Sequence, residues 1–563
     1  MNNIEMLSKK ETKWRKYFLI FLSFWLSTIC NGQYLKQYDW VNSFGGLDVD
    51  VGKSVCTDDF GNIYITGFFQ SEAVFGDEHL VSNGDTDIFV AKFDTDGNLL
   101  WVKQFGSGIR KNLIATEMGT AIKCDKKGNI YLAGIFSWSV IFGDTTLVSK
   151  GGDDIFLVKM STAGKIIRAN RYGTIGHDFV HDFEIEIDGT LLISASFGSK
   201  PEQETFRNSR NSSYAILARI DKMGEMSILN HALSPGSLQG SQVIADKNNN
   251  IYWGLNYTNV IEVEEQRIHS NGKSDIVLVR LDKSGNAIWY KKIGGRFDDK
   301  MNDLALYKGN ELLLTGSFED KIAFADREIL SNGKSDMLLC QIDEFGNVNW
   351  LEKIGGKLNE SGISVSSDAD DNIVIAGIFQ DEIVTNVDTL KAKGYFDIVI
   401  ACFNPYHHYL KSHHIGGAYG DFVESLSISQ GYVNFTGHFR NTMALNNLEI
   451  ASNGKEDGFL GRFPLFLNGE LHTEIDNFDG VHGAVVLINP NPSTGIFTIS
   501  SPQSNLKDIN IKILNMSGYQ VDWFYCDKFP FVLDLSHLPQ GVYMAHIQIQ
   551  NQTFFEKLII SSK

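Results

Sequence analysis

The sequence predicts an all-β protein: a seven-bladed β-propeller closed by its own N-terminal strand, followed by a small C-terminal β-sandwich. Three observations carry this prediction. The stretch Asp87-Ile-Phe-Val-Ala-Lys-Phe-Asp94 recurs at residues 154–160, 275–282, 336–343 and 397–403, with weaker copies at 214–221 and 457–463. Seven copies spaced by about 60 residues are the mark of sheet units repeated around a ring. The composition suits short strands and tight turns, with 53 Gly, 9 Pro, 43% hydrophobic and 12% aromatic residues in 563. Finally, the two ends of the array fit each other. The seventh copy stops after its third strand, and residues 38–46 match residues 349–356, which form the strand it lacks.

In chain order, residues 1–32 read as a signal peptide. Lys9, Lys10, Lys13, Arg15 and Lys16 precede an apolar run, Tyr17 to Ile29, that is too short to span a bilayer. Cys30 and Gly32 are small residues at −3 and −1 of a cut before Gln33. A lipoprotein cysteine at Cys30 is the competing reading, and Ile29 fits it poorly. The mature chain is therefore expected to be exported and to carry no transmembrane segment. Five cysteines remain: Cys56, Cys124, Cys340, Cys402 and Cys526. Their odd number and wide scatter argue against a disulfide framework. The net charge of −18, from 68 acidic and 50 basic residues, disfavours nucleic acid and anionic membrane surfaces as partners.

Residues 34–463 are assigned to the propeller, four strands to a blade. In blade 1 a strand at 52–57 turns at Asp59-Phe-Gly-Asn62 into a second at 63–69. A variable connection leads to the Asp87 strand, and the turn ending Gly97-Asn98 leads to a fourth strand at 99–105. Alternation, β-branched residues and Gly-Asn turns make this a meander of hairpins. The second strand supplies a ruler: Gly67, Gly134, Ala195, Leu255, Gly316, Gly377 and Gly437 lie 60 to 67 residues apart. Small residues there suit close backbone approach near the axis. The combination Asn-Gly-x-x-Asp-Ile-x-Val-x-Lys-Phe-Asp, Gly-Asn, Trp and Gly-Gly resembles the SBBP-type β-propeller repeat of bacterial secreted proteins, clearest in blades 1, 2, 5 and 6. Blade 3 departs most, losing the Asp and the closing Gly-Gly. That resemblance implies a scaffold and brings no catalytic residues with it.

A linker at 464–484 precedes a C-terminal domain at 485–563, whose short strands predict an Ig-like β-sandwich. It contains Pro490-Asn-Pro492 with Gly495, Asn515 with Gly518, Leu538-Pro-Gln-Gly541-Val-Tyr543 and Lys557-Leu-Ile. In order and at the chain end, these motifs resemble the type A sorting domain of the type IX secretion system. The resemblance implies the type IX machinery as partner. It also implies passage through the outer membrane of a Bacteroidota-like cell, then release or surface attachment.

Candidate chemistry is sparse. An acid precedes the first strand of six blades, as Asp50, Glu117, Asp178, Asp299, Glu360 and Asp421, with Leu238 in the fourth. Such a ring at the channel mouth could hold a cation or a basic peptide. The plainer reading, favoured by repetition, is that each carboxylate caps backbone N–H groups of its own loop. The Asp-x-x-Gly-Asn turns at Asp94, Asp282 and Asp343 lack the further carboxylates of a calcium loop. His407, His408, His413 and His414 are a candidate metal cluster, against which stands an exposed strand carrying histidines. Gly-x-Ser-x-Gly, Cys/His and phosphate-loop signatures are absent from the sequence, and no cofactor is expected. The expected function is a non-enzymatic binding or scaffold protein at the surface or in the medium, with a protein or glycan ligand. The alternative is a polysaccharide-acting enzyme using the mouth acids.

Overall fold

Every element described in a computed structural model of the chain is a β-strand. The chain divides into two units, Met1–Leu465 and Phe466–Lys563. The structure describes residues 40–107, 116–198, 213–324, 327–385 and 389–465 of the first. In the second it describes 487–489, 493–500, 509–515, 520–526, 528, 530–549 and 552–561. The expected signal peptide and most of the expected linker lie outside these residues.

In the first unit, Val51–Thr57, Ile63–Phe75, Glu78–Phe93 and Leu99–Phe105 pair in order as an antiparallel sheet. The same meander recurs from Glu117–Cys124, Phe179–Ile185, Leu238–Ala245, Asp299–Tyr307 and Ser361–Ser367. The last sheet comprises Asp421–Ser429, Tyr432–Phe439 and Asp457–Pro464, and its fourth strand is Trp40–Phe44. That pairing runs from Trp40 opposite Arg462 to Phe44 opposite Gly458.

The third strand of each repeat is apolar without alternation because neighbouring sheets cover both of its faces. In Asp397–Phe403 every residue is buried. The core is accordingly a series of apolar layers between successive repeats. Tyr64, Ile88 and Val90 meet Ile130, Leu132 and Phe156 in one of them. A layer of the same kind joins Phe44 and Leu460 to Ile63, Ile65 and Phe89.

Each first strand carries a register shift, as at Gly52/Ser54 and Met301/Asp303. Such a bulge re-aims the residue that follows it. Here several of these residues accept an N–H from the next repeat's first strand. Ile122 donates to Ser54 Oγ at 3.1 Å, Val365 to Asp303 Oδ2 at 2.9 Å and Leu426 to Ser364 Oγ at 3.3 Å. Val55 donates to Ser425 Oγ at 3.3 Å, which links the last repeat to the first.

The variable connection between second and third strands is itself a hairpin arm. Ala73, Phe75, Ile322 and Phe324 bury one side of it, and it reaches the preceding repeat. Gly45 bridges Val74, Gly355 pairs with Val384, and Ile415 pairs with Leu445. An edge strand left open invites pairing with another chain, and these arms occupy it.

One expectation is corrected. Cys56 and Cys124, at the ends of consecutive first strands, form a disulfide, while Cys340, Cys402 and Cys526 are free and buried. The two partners are 68 residues apart in sequence, about one repeat. Spacing rules for compact disulfide frameworks miss a pairing that only the stacking of repeats creates.

The second unit holds two sheets, one of Leu487–Asn489, Ile496–Ser500 and Phe531–Asp534. The other comprises Ile509–Asn515, Gln520–Cys526, Gly541–Ile549 and Gln552–Ile560. Phe497, Ile499 and Leu533 from the first pack with Ile511, Ile547 and Leu558 from the second in one core. Among the described residues no helix is long and apolar enough to cross a membrane.

Candidate functional site

The six repeated acids do not line a mouth. Asp50, Glu117, Asp178, Asp299, Glu360 and Asp421 are each at most 1% exposed. Their carboxylates are turned into the junctions between repeats, where most accept an N–H of the loop that enters the first strand and some a second from the neighbouring second strand or the residue after it. Asp50 takes Gly46 N at 2.7 Å and Gln70 N at 3.1 Å. Asp178 takes Thr174 N at 2.6 Å, the Thr174 hydroxyl at 2.9 Å and Gly198 N at 2.9 Å. Gly295, Gly356 and Gly417 donate to Asp299, Glu360 and Asp421 at 2.6, 2.7 and 2.7 Å. Glu117 instead accepts the Ser107 hydroxyl at 2.7 Å.

Each of these acids has a partner that sequence reasoning did not connect to it. The partner, whose charge acts on it across the junction, is the Asp that opens the third strand of the preceding repeat: Asp457, Asp87, Asp154, Asp275, Asp336 and Asp397, all fully buried. Each accepts an N–H four residues back, as Asp275 does from Asn271 at 2.7 Å and Asp336 from Asn332 at 2.8 Å. The closing glycine of the repeat makes room for it. A Cβ on Gly106 or Gly355 would fall 2.2 Å from the carboxyl carbon of Asp87 or Asp336. A signal for the pairing was present in the sequence. Where the third repeat meets the fourth, Tyr214 and Leu238 replace both acids together.

Burial dominates the electrostatics of these groups. It pushes Asp50, Asp299 and Glu360 up to about 7, and Glu117 and Asp421 up to about 8. The loop N–H groups oppose the shift and the neighbouring acid adds to it. Asp457 is pushed up to about 6, and Asp87, Asp154, Asp275 and Asp336 are raised, by burial in each case.

The first strands carry a second set of charged groups. Lys53 meets Glu424 at 2.7 Å, and Lys123 meets Glu184 at 2.8 Å and Asp182 at 3.3 Å. Burial alone would lower Lys123; the two carboxylates outweigh it and hold the ammonium above its ordinary value. These pairs lie between successive repeats and bind them side by side.

The four histidines do not converge. His407 stacks on Trp350 at 4.4 Å, His413 packs on Phe463 at 4.1 Å, and His414 Nε2 lies 2.6 Å from Asp397 Oδ2. His408 is exposed. Burial lowers His407 and His413 to about 4. The turn acids likewise serve their own turns. Asp94 Oδ1 accepts Asp96 N and Asn98 N, and its Oδ2 accepts the Asn98 amide. Asp282 and Asp343 repeat the pattern.

Among the sorting-motif residues, Pro490, Asn491, Pro492 and Gly518 lie outside the described residues. Gly495 has φ of 110°, a conformation only glycine holds readily, and donates to Ser493 Oγ at 3.2 Å. Gly541 begins the strand Gly541–Ile549, in which Tyr543 is buried with its hydroxyl on Pro539 O at 2.9 Å. Lys557 is exposed on the final strand.

Comparison with known proteins bears on this second unit most directly. Residues 487–561 match the secretion system C-terminal sorting domain, which implies export to the cell surface or the medium. Over 60% of its length the chain is similar to the uncharacterized WD repeat-containing protein L264 of Acanthamoeba polyphaga mimivirus, 23% identical over 437 residues. It is also similar to the regulatory protein FlaEY of Caulobacter vibrioides, 23% identical over 391 residues. Each alignment covers 60% of this chain but only 31% and 39% of the relative, so the chain spans about a third of their length. Among solved structures, a puromycin hydrolase aligns with 81% of this chain and 58% of its own, at TM-score 0.38 and 10% identity.

Proposed function

We propose that the chain is a non-enzymatic binding or scaffold protein, exported by the type IX secretion system of a Bacteroidota-like cell. Its first unit is read as a seven-bladed propeller of SBBP-type repeats that presents loops to a surface protein or glycan. The observation that carries this reading is the union of a C-terminal sorting domain with seven four-stranded repeats, six of which carry an acid that faces inward. Ring closure is supported by three links between the last repeat and the first: Trp40–Phe44 on Asp457–Pro464, Val55 on Ser425, and Gly45 on Val74. A glycosidase requires two carboxyl groups open to substrate and water. The acids that could have supplied them are sealed between repeats, which removes the main support for a polysaccharide-acting enzyme.

The test is a glycan-array and surface-proteome binding screen with the mature chain, run beside a polysaccharide turnover screen. Saturable binding without turnover is the expected result. Turnover that disappears in a folded Asp299→Asn or Glu360→Gln variant would overturn the proposal.

A further inference from the structure

The junction between the fourth and fifth repeats is short of hydrogen-bond donors. Asp275 Oδ2 accepts Asn271 N and Asp299 Oδ2 accepts Gly295 N, yet Oδ1 of both residues is buried with no hydrogen bond from the protein. The next junction repeats the deficit at Asp336 Oδ1 and Glu360 Oε1. Unpartnered buried oxygens also occur at the other pairs, on Asp457, Glu117, Asp154 and Asp421. An ionised carboxylate only accepts, so two of them together cannot satisfy one another. A buried oxygen left in that state is costly to the fold, more so when it is charged.

The surrounding charges do not resolve this. Lys292 and Lys353, on the fourth strands, favour the ionised forms of Asp275 and Asp336 through their charge, yet they bond the side chains of Asn271 and Asn332 at 2.6 Å rather than the carboxylates. Glu319 faces Asp299 and Asp381 faces Glu360, and both add negative charge. The Glu319 and Gln380 amides beside Asp299 and Glu360, and the Gly272 and Gly333 amides beside Asp275 and Asp336, favour the ionised forms without closing a hydrogen bond to the unpartnered oxygens. A metal ion is a poor substitute, because no set of three or more His, Cys, Asp or Glu side chains suited to one occurs among the described residues. Arg171 reaches Asp154 and His414 Nε2 reaches Asp397, each at 2.6 Å, so those two junctions have a nitrogen partner of their own.

We propose that the carboxyl pairs Asp275/Asp299 and Asp336/Glu360 each hold one proton between their members, so that one acid of each pair enters the fold as a neutral carboxylic acid. The proton supplies the donor that the junction lacks and removes one of two adjoining buried charges. The third-to-fourth junction supports this reading. Where one acid is absent so is the other, and buried Tyr214 and Leu238 stand at the two positions, as expected of two groups that work as a unit. The raised values of Asp299 and Glu360, about 7, agree with it.

The sign of the pH dependence follows. These acids release their proton in the unfolded chain at ordinary carboxylate values, so folding takes up protons between there and about pH 7. The stabilisation is complete below the unfolded values and is lost as pH rises through the folded ones. The array therefore tightens in acid and loosens toward alkaline pH.

The test is thermal unfolding of the mature chain from about pH 5 to about pH 9, with Asp299→Asn, Asp299→Ala and Glu360→Gln variants. A fall of several degrees in Tm across that range is expected for the parent chain. Asn or Gln carries its own N–H donors and no charge, so those variants should flatten the pH slope while Ala lowers Tm throughout. Infrared spectra near neutral pH should show a carboxylic C=O band that weakens in Asp299→Asn. If the parent slope is flat and the band is absent, the proposal fails. It fails equally if calcium raises Tm and a chelator reverses it, since the pairs would then be cation sites. The band needs only the parent chain, so the idea stays testable even if a variant does not fold.

Discussion

At Gly356 an added Cβ would fall 1.8 Å from the main-chain oxygen of Glu382, the first residue of the next repeat's arm. Gly46, Gly295 and Gly417 face equally close oxygens at 1.8, 1.7 and 1.6 Å. Backbone cannot swing aside as a side-chain tip can, so Gly356→Ala should destabilise the first unit by about 1–3 kcal/mol, read by chemical denaturation. The Gly-Gly dipeptide was visible in the sequence as part of a repeated motif, but its reason was not. The first glycine yields to an Asp carboxyl and the second to an arm that looked like loop. The acids divide in the same way. Asp299 and Glu360 were legible as repeated positions, and capping of loop N–H groups was the favoured reading. Their pairing went unseen because Asp275 and Asp336 belong to the preceding repeat and meet them only across a junction. Cys56 and Cys124 escaped notice for the same reason. Cys56→Ser should lower stability by about 2–4 kcal/mol, and a reductant should reproduce the loss in the parent chain.

Among the elements, Trp40–Phe44 is the most exacting for its length. Phe44 stacks on Phe75 at 4.7 Å, meets Phe89 edge-on at 5.1 Å and lies against Gly458. Phe44→Ala should cost about 3–5 kcal/mol. Because the strand joins the two ends of the array, the loss should appear as one cooperative transition at lower temperature rather than as local fraying, and limited proteolysis should then open the Asp457–Pro464 edge. This strand was legible because residues 38–46 copy residues 349–356. The arms were not, since Ala73-Val-Phe75 and Ile322-Ala-Phe324 are too short for their alternation to stand out between variable flanks.

For the molecule as a whole, the two units have separate cores, and no repeat motif runs from one into the other. Calorimetry of the mature chain should show two transitions. The larger should coincide with that of residues 34–465 alone; a single shared transition would mean that the units fold as one. The sorting unit was readable because its motifs are local in sequence, whereas the ligand is unreadable because it depends on loops that differ from repeat to repeat. The placement of Trp40–Phe44 also imposes a timetable. The strand is synthesised before all seven repeats, yet its partner Asp457–Pro464 follows roughly 400 residues later. At synthesis rates of about 5–20 residues per second, that is a wait of some tens of seconds. Through that interval the leading segment has no mate, and the repeats already formed lack the pairing that Trp40–Phe44 makes with the last of them. Chaperone demand, vulnerability to proteases and mispairing between chains should peak in that window and end together when the last repeat arrives.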